Sequence, residues 1–288
     1  MKIFYHNDLD GRCAAAIACR WNMDGPISFK DIDLIEVDYK DTIHVDKILA
    51  NETVVIVDFS FKPEVMEKVL EQTSEIIWID HHKTAFEYKY SKQIEGLRQT
   101  AFSGCELTWM FFRGSEPMPR TVELIGDYDK WTLKFQPECF QFYEGLKMET
   151  TTPQSGLWDR LFEDHHKTVD RIIEQGKSAI RYRDNYCSKI CHDFGYEIEL
   201  DGYKAYATNF YQFGSKGFGD KMEQYDFCVA YIHDGKRFTI SLYSIKGVDV
   251  SEIVLRLRDK YPDKVLSAGG HAGAAGMVTT ELLFKKAV

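Results

Sequence analysis

Residues 74–86 read SEIIWIDHHKTAF. A short apolar run ending at Ile79 stops at Asp80, His81 and His82, three side chains of metal-ligand type. The run is unbroken and short, which predicts a strand buried on both faces. Three polar groups at the end of such a strand are costly to bury unless they have partners. Outward from this stretch the pattern recurs. TVVIVDF (53–59) ends its apolar run at Asp58, and KIFY (2–5) runs into HNDLDG, which carries His6, Asp8 and Asp10. DLIEV (33–37) is a further short run, and segments of helical character such as RCAAAIACRW and KPEVMEKVLEQT (62–73) lie between. Apolar strands alternating with helices predict an α/β fold with a parallel sheet covered on both faces. FSGCELTWMFF (102–112) and PRTVELIGDY (119–128) predict two more helices, with Asp127 and Asp129 at the end of the second.

The turn-rich ETTTPQSG (149–156) breaks this pattern. After it, Leu161, His165, Val169, Ile172, Ile173, Gly176 and Ile180 fall at helical spacing. FCVAYI and FTISLYSI then flank HDGKR, a hairpin signal with Asp234-Gly235 at the turn. DVSEIVLRLRDKY (249–261) reads as an amphipathic helix capped by Asp249 or Ser251. The expected organisation is an N-terminal parallel-sheet α/β domain (1–150), a helical connector (151–196) and a smaller C-terminal α/β domain (197–288).

With 288 residues, 44% of them hydrophobic and 28% charged, the composition is that of a soluble globular protein. No apolar run is long enough to span a bilayer, so no membrane partner is expected. The opening MKIFYHNDLDG lacks the apolar core of a signal peptide. Seven scattered cysteines then point to a reducing, cytoplasmic setting. A formal net charge of −9 weighs against a long nucleic-acid duplex as partner, though not against a small phosphorylated substrate held through cations.

Ligands of open parallel sheets bind outside the carboxyl ends of the strands. His6, Asp8 and Asp10, then Asp58, then Asp80, His81 and His82, then Asp127 or Asp129 each follow the end of an apolar segment. Any one of these could be a cap or a polar turn; recurrence at separate segment ends favours a metal centre. Two divalent ions roughly 3.5–4 Å apart can clamp both oxygens of an in-line phosphoryl displacement and hold a hydroxide. On that reading Asp58 bridges, His6 and Asp8 serve one ion, and Asp10, His81 and Asp127 serve the other. Mixed carboxylate and imidazole ligands suit manganese, with magnesium and cobalt as alternatives. The absence of paired cysteines among these positions argues against structural zinc.

DHHKT occurs a second time, in LFEDHHKTV (161–169), within the helical spacing. Consecutive residues on a helix point about 100° apart, so Asp164, His165 and His166 would not converge, and this copy reads as coincidence. CSKICH (187–192) reads as a helix face rather than zinc, and the aromatic-rich FQPECFQFYEGL (135–146) as packing more than base stacking. YQFGSKGFGD (211–220) is a glycine-rich loop without the ending of a P-loop.

The series His6-x-Asp8-x-Asp10-Gly11, Asp58, Asp80-His81-His82 and Asp127 resembles the DHH phosphoesterase superfamily. Its members include single-strand exonucleases, oligoribonucleases, cyclic-dinucleotide phosphodiesterases, exopolyphosphatases and family II pyrophosphatases. GGHAGAAG (269–276) resembles the glycine-rich signature of the DHH-associated C-terminal domain. The resemblance implies that His81 is a direct ligand, that Asp80 orients an imidazole, and that His82 contacts phosphate near the reacting centre. It leaves Asp127 and Asp129 as alternatives, Asp127 being favoured because it comes first. A single residue between His6 and Asp8 is nearer the exonuclease-like branch than the pyrophosphatase branch.

In the C-terminal motif, glycines would let backbone N–H groups and a helix N-terminus approach a phosphate. Gly269, Gly270 and His271 are the expected substrate contacts, in a cleft between the domains; the structural alternative is a tight turn between strand and helix.

The resulting expectation is a manganese-dependent phosphoesterase that cuts short oligonucleotides or linear or cyclic dinucleotides by a two-metal-activated hydroxide. The rival enzymatic reading is an exopolyphosphatase or other phosphoanhydride hydrolase; the non-enzymatic one is a nucleotide-binding module. The oligomeric state is left open, a dimer included.

Overall fold

The computed structural model describes residues 1–21, 29–163, 167–210 and 213–287, and its contacts divide into two compact units, Met1–Ala179 and Ile180–Val288. The reading of the second DHHKT concerns Asp164, His165 and His166, which lie outside the described residues.

In the first unit, β1 (Lys2–His6), β2 (Asp33–Val37), β3 (Val54–Val57) and β4 (Ile76–Ile79) form a parallel sheet in the order β2-β1-β3-β4. The apolar runs are unbroken because both faces are covered. Ile3, Tyr5, Val55, Val57 and Ile79 pack into the same cluster as α1 (Leu9–Trp21), α3 (Gly104–Arg113) and α4 (Arg120–Asp129). Phe4, Val54, Ile56 and Trp78 pack on the other side with Met66, Val69 and Leu70 of α2 (Pro63–Gln72). The register pairs Tyr5 with Val57 and Val57 with Ile79. β1, β3 and β4 therefore stop level, and His6, Asp58 and Asp80 emerge along one edge.

The unit is completed by α5 (Glu138–Leu146), α6 (Leu157–Glu163) and α7 (Lys167–Phe194). Segment 151–196, expected as a separate connector, is divided between the units. Leu157, Trp158, Leu161, Val169, Ile172 and Ile173 are buried in the first unit's core, and the division falls within α7.

The second unit has a six-stranded sheet in the order β5-β6-β7-β8-β10-β9. Its strands are β5 (Tyr196–Leu200), β6 (Tyr203–Thr208), β7 (Phe227–His233), β8 (Phe238–Tyr243), β9 (Val265–His271) and β10 (Ala274–Thr279). Between them lie α8 (Lys221–Gln224) and α9 (Val250–Lys260), and all strand pairs are antiparallel except β6 with β7. Val250, Ile253, Val254 and Leu257 of α9 pack on Phe227, Val229, Ile240 and Leu242. Asp249 caps α9, accepting from the amides of Ser251 and Glu252. The Asp234-Gly235 hairpin forms as the sequence predicts, with Asp234 Oδ1 accepting from the amides of Lys236 and Arg237.

The glycine-rich motif differs from expectation. No helix begins there: residues 269–276 join β9 to β10, pairing His271 with Ala274 and Gly269 with Gly276. The alternating Ala275, Met277 and Thr279 are buried and hold this segment in the sheet. Gly270 sits at φ +144°, and a Cβ there would lie 2.4 Å from Ala275 Cα, so the hairpin needs glycine at that position. Among the described residues, no helix is long and apolar enough to cross a membrane. All seven cysteines are free and buried.

Candidate metal centre

The level strand ends deliver the first ligand-type groups. His6 closes β1, and its Nδ1 lies 2.8 Å from Asp8 Oδ2, while Asp8 Oδ1 accepts from the Gly11 amide at 2.9 Å. Asp10 lies in the first turn of α1 and points at the N-terminus of α3. There it accepts from Ser103 Oγ (2.9 Å) and from the amides of Gly104 (2.6 Å) and Cys105 (3.0 Å). That terminus is built by a reciprocal capping box of Ser103 and Glu106.

Asp58 follows β3. It is 1% exposed and has the left-handed backbone conformation, φ +54°, that non-glycine residues seldom adopt. Its amide still donates to Ile79 O at 2.9 Å, so the residue turns out of the sheet without leaving it. A Cβ on Gly104 would lie 2.5 Å from Asp58 Cβ and 2.6 Å from Asp58 Oδ1. Glycine at that position is what lets α3 close on the carboxylate.

Asp80 is fully buried. Its Oδ1 accepts from the amides of His81 (2.7 Å) and His82 (3.1 Å) and meets His82 Nδ1 at 2.8 Å. Its Oδ2 accepts from Ser60 Oγ, which in turn accepts from Trp78 Nε1 at 3.1 Å. Asp80 thus fixes the His82 ring. His81 is oriented differently: its Nε2 lies 3.1 Å from Asp58 Oδ1, 3.4 Å from Asp129 Oδ2 and 3.8 Å from Asp10 Oδ2.

Asp127 does not join this group. Its Oδ1 accepts from Thr132 Oγ1 (2.6 Å) and the Lys134 amide (2.8 Å), and its Oδ2 from the Phe135 amide (3.0 Å). It ties down a loop in which Trp131 and Leu133 both have positive φ. Asp129, two residues on and so on the opposite face of α4, takes the place expected for Asp127.

Three sets of ligand atoms each lie within 4.8 Å of one another: His6 with Asp8 and Asp58, Asp10 with His81 and Asp129, and Asp58 with His81 and His82. Asp58 is common to the first and last, and His81 to the last two. None of these three sets contains a cysteine; CSKICH lies on α7.

The electrostatics are those of a cation site. Burial, reinforced by the charges of Asp10, Asp8, Asp129 and Asp80, pushes the Asp58 carboxyl well above its usual range. Burial with Asp10 and Asp8 pushes Asp129 up to about 9. Burial lowers His81, leaving it neutral, with a ring lone pair available. For His82 burial also pulls downward, but the hydrogen bond and charge of Asp80 outweigh it and the value rises. Most telling are the orphans. Both Asp58 oxygens and Asp129 Oδ2 are buried with no hydrogen-bond partner among the described residues. Leaving such acceptors bare costs several kcal/mol in order of magnitude; divalent ions would satisfy them. The residues present therefore fit a metal centre.

Sequence reading passed over Ser60 and the N-terminus of α3, and placed Asp129 second to Asp127 as the facing carboxylate. The α3 terminus had a visible signal, the S-x-x-E pattern of Ser103 and Glu106. Ser60 had none. His271, with Gly269 and Gly270, is exposed on β9.

Residues 1–128 match the family described as DHH family, N-terminal domain. An uncharacterised protein of Acanthamoeba polyphaga mimivirus is 28% identical over 172 residues, covering 59% of this chain and 38% of that protein. The match thus spans less than half the length of that curated relative. The DHH domain of a member of a ribosomal-protein family superposes with a TM-score of 0.62 at 13% identity, over 96% of this chain and 82% of that one. The pGpG-specific phosphodiesterase PggH from Vibrio cholerae gives 0.54 at 14%, over 97% and 92%. Exonuclease RecJ bound to manganese gives 0.53 at 13%, over 96% and 85%. At such identities the likeness is one of fold. The N-terminal match covers the strand ends, the Asp-His-His turn and Asp127, and it is over this segment, residues 1–128, that the chain is similar to the DHH family.

Proposed function

We propose that the protein is a divalent-metal-dependent phosphodiesterase acting on short oligonucleotides or dinucleotides. The observation that carries this reading is Asp58, buried, without a hydrogen bond to either oxygen among the described residues, and shared between two ligand sets. Proteins of the same fold include an exonuclease bound to manganese and a pGpG-specific phosphodiesterase, and both activities cut nucleotide phosphodiesters.

His6 and Asp8 would hold one ion, Asp10, His81 and Asp129 a second, with Asp58 between. The mixed donor set favours manganese, with magnesium or cobalt able to substitute. Ions held there supply Lewis acidity toward a phosphoryl oxygen and acidify a water nucleophile. The chain's own contributions are positional. Asp80 locks the His82 ring through Nδ1 and favours its protonated form, so that Nε2–H donates to a phosphate oxygen as negative charge grows. The α3 N-terminus holds Asp10 at a fixed angle, and Gly104 lets Asp58 stay where it is. In the second unit, Gly269, Gly270 and His271 are the proposed substrate contacts. Seven buried free thiols fit a reducing compartment such as the cytoplasm.

The test is a substrate panel. Purified protein with manganese is incubated with 5′-phosphorylated di- to pentanucleotides, cyclic dinucleotides and tripolyphosphate, alongside Asp58→Ala. The short nucleotides should be consumed fastest, and the variant should lose most of that turnover. Faster loss of tripolyphosphate would make the protein a phosphoanhydride hydrolase. No turnover and no bound metal would make it a nucleotide-binding module.

A further inference from the structure

Tyr39 has no role in the machinery described so far, yet it stands beside it. It follows β2, the edge strand next to β1, in a tight loop. There the Asp41 amide donates to Asp38 O, the Asp38 amide to Asp41 Oδ2, and the Tyr39 amide to Asp38 Oδ1. That double closure fixes where the ring goes. It stacks on Phe59 with centroids 4.6 Å apart and planes 29° apart. It lies 5.7 Å from the His6 ring and 5.9 Å from the His82 ring, edge-on to the latter. Phe59 is buried and covers one face; Tyr39 nonetheless keeps 43% of its surface exposed. A partly exposed aromatic ring has been placed beside two imidazoles of the metal centre, where solvation alone would favour a polar residue.

On the nucleotide-phosphodiester reading above, we infer that Tyr39 is a specificity-determining residue that stacks on the nucleobase next to the phosphate held at the metal centre. Stacking needs only a π-face, so it is tolerant of which base is present but rejects a ligand with none. It therefore selects nucleotides over inorganic phosphate chains and sugar phosphates. The aromatics around α4 are instead engaged with one another. Tyr128 and Tyr143 stack at 3.7 Å, and Phe140 packs edge-on against Tyr128 and Trp131.

Calorimetric binding of adenosine 5′-monophosphate and of ribose 5-phosphate to the manganese-loaded protein isolates the base, because the two ligands differ only there. Wild type and Tyr39→Phe should prefer the nucleotide by roughly tenfold, the lower end of what stacking one base supplies. Tyr39→Ala and Tyr39→Leu should bind both alike, with manganese content unchanged. Tyr39→Leu separates stacking from packing, since it keeps an apolar cover on Phe59 without a π-face. A preference that survives in Tyr39→Leu, or none in wild type, overturns the assignment. Binding is read without turnover, so a protein that hydrolyses nothing yet loses its base preference in Tyr39→Leu would keep Tyr39 and lose the phosphodiesterase reading.

Discussion

A carboxylate two residues beyond another on a helix points about 200° away from it, and Asp127 and Asp129 divide their tasks accordingly. Asp129 faces His81, whereas Asp127 accepts three hydrogen bonds from the loop after α4. Burial works against the Asp127 carboxylate, but the bonds from Thr132, Phe135 and Lys134 outweigh it and hold its pKa below the usual range. A depressed carboxylate contributes stability above its unfolded pKa of about 3.9 and loses it as pH falls through the lower folded value. Asp127→Asn should therefore cost about 1–3 kcal/mol at neutral pH, and the gap to wild type should close in strongly acidic buffer, measured by denaturant melts. Asp129→Asn should instead lower activity and manganese binding without loss of stability; the reverse pattern would return the ligand role to Asp127. Neither assignment could be read from the residues alone. Which of two acids near the end of a helix faces a neighbour depends on where the helix stops and on how its next loop is tied.

Six elements of the first unit, β1, α1, β3, β4, α3 and α4, build the centre, and across the chain the sequence disclosed the elements unequally. The strand ends were legible because unbroken apolar runs with level stops follow from a parallel sheet covered on both faces. The glycine-rich hairpin was not. Glycine hides strand propensity, and only the alternation of Ala275, Met277 and Thr279 betrayed β10. The element with the most leverage is α3, whose first residue abuts Asp58. Gly104→Ala would improve intrinsic helix propensity, yet its Cβ would lie 2.5 Å from Asp58 Cβ. Manganese affinity should fall by about 10–100-fold, the range for residues that support ligands from behind, while helical circular dichroism stays near wild type. Unchanged affinity would mean that α3 can retreat without moving the carboxylate.

At the scale of the whole molecule, the cores do not depend on ions. The first unit buries one cluster on each face of its sheet, and the second one cluster around α9 and another around Phe218 and Met222, none of it built from ligand atoms alone. Chelation should abolish activity and leave the far-ultraviolet spectrum intact, with a melting temperature lowered by only a few degrees; collapse of the spectrum would mark the metal as structural.

Asp58 carries the longer-range consequence. It combines a backbone conformation costing about 1–2 kcal/mol outside glycine with buried carboxylate oxygens that have no hydrogen-bond partner among the described residues. Asparagine tolerates that backbone shape and carries no charge, so in chelator Asp58→Asn should melt a few degrees above wild type. Such a catalytically crippled form would outlast its parent whenever cations are scarce, and durability under starvation would then be what this lineage has surrendered for a working centre.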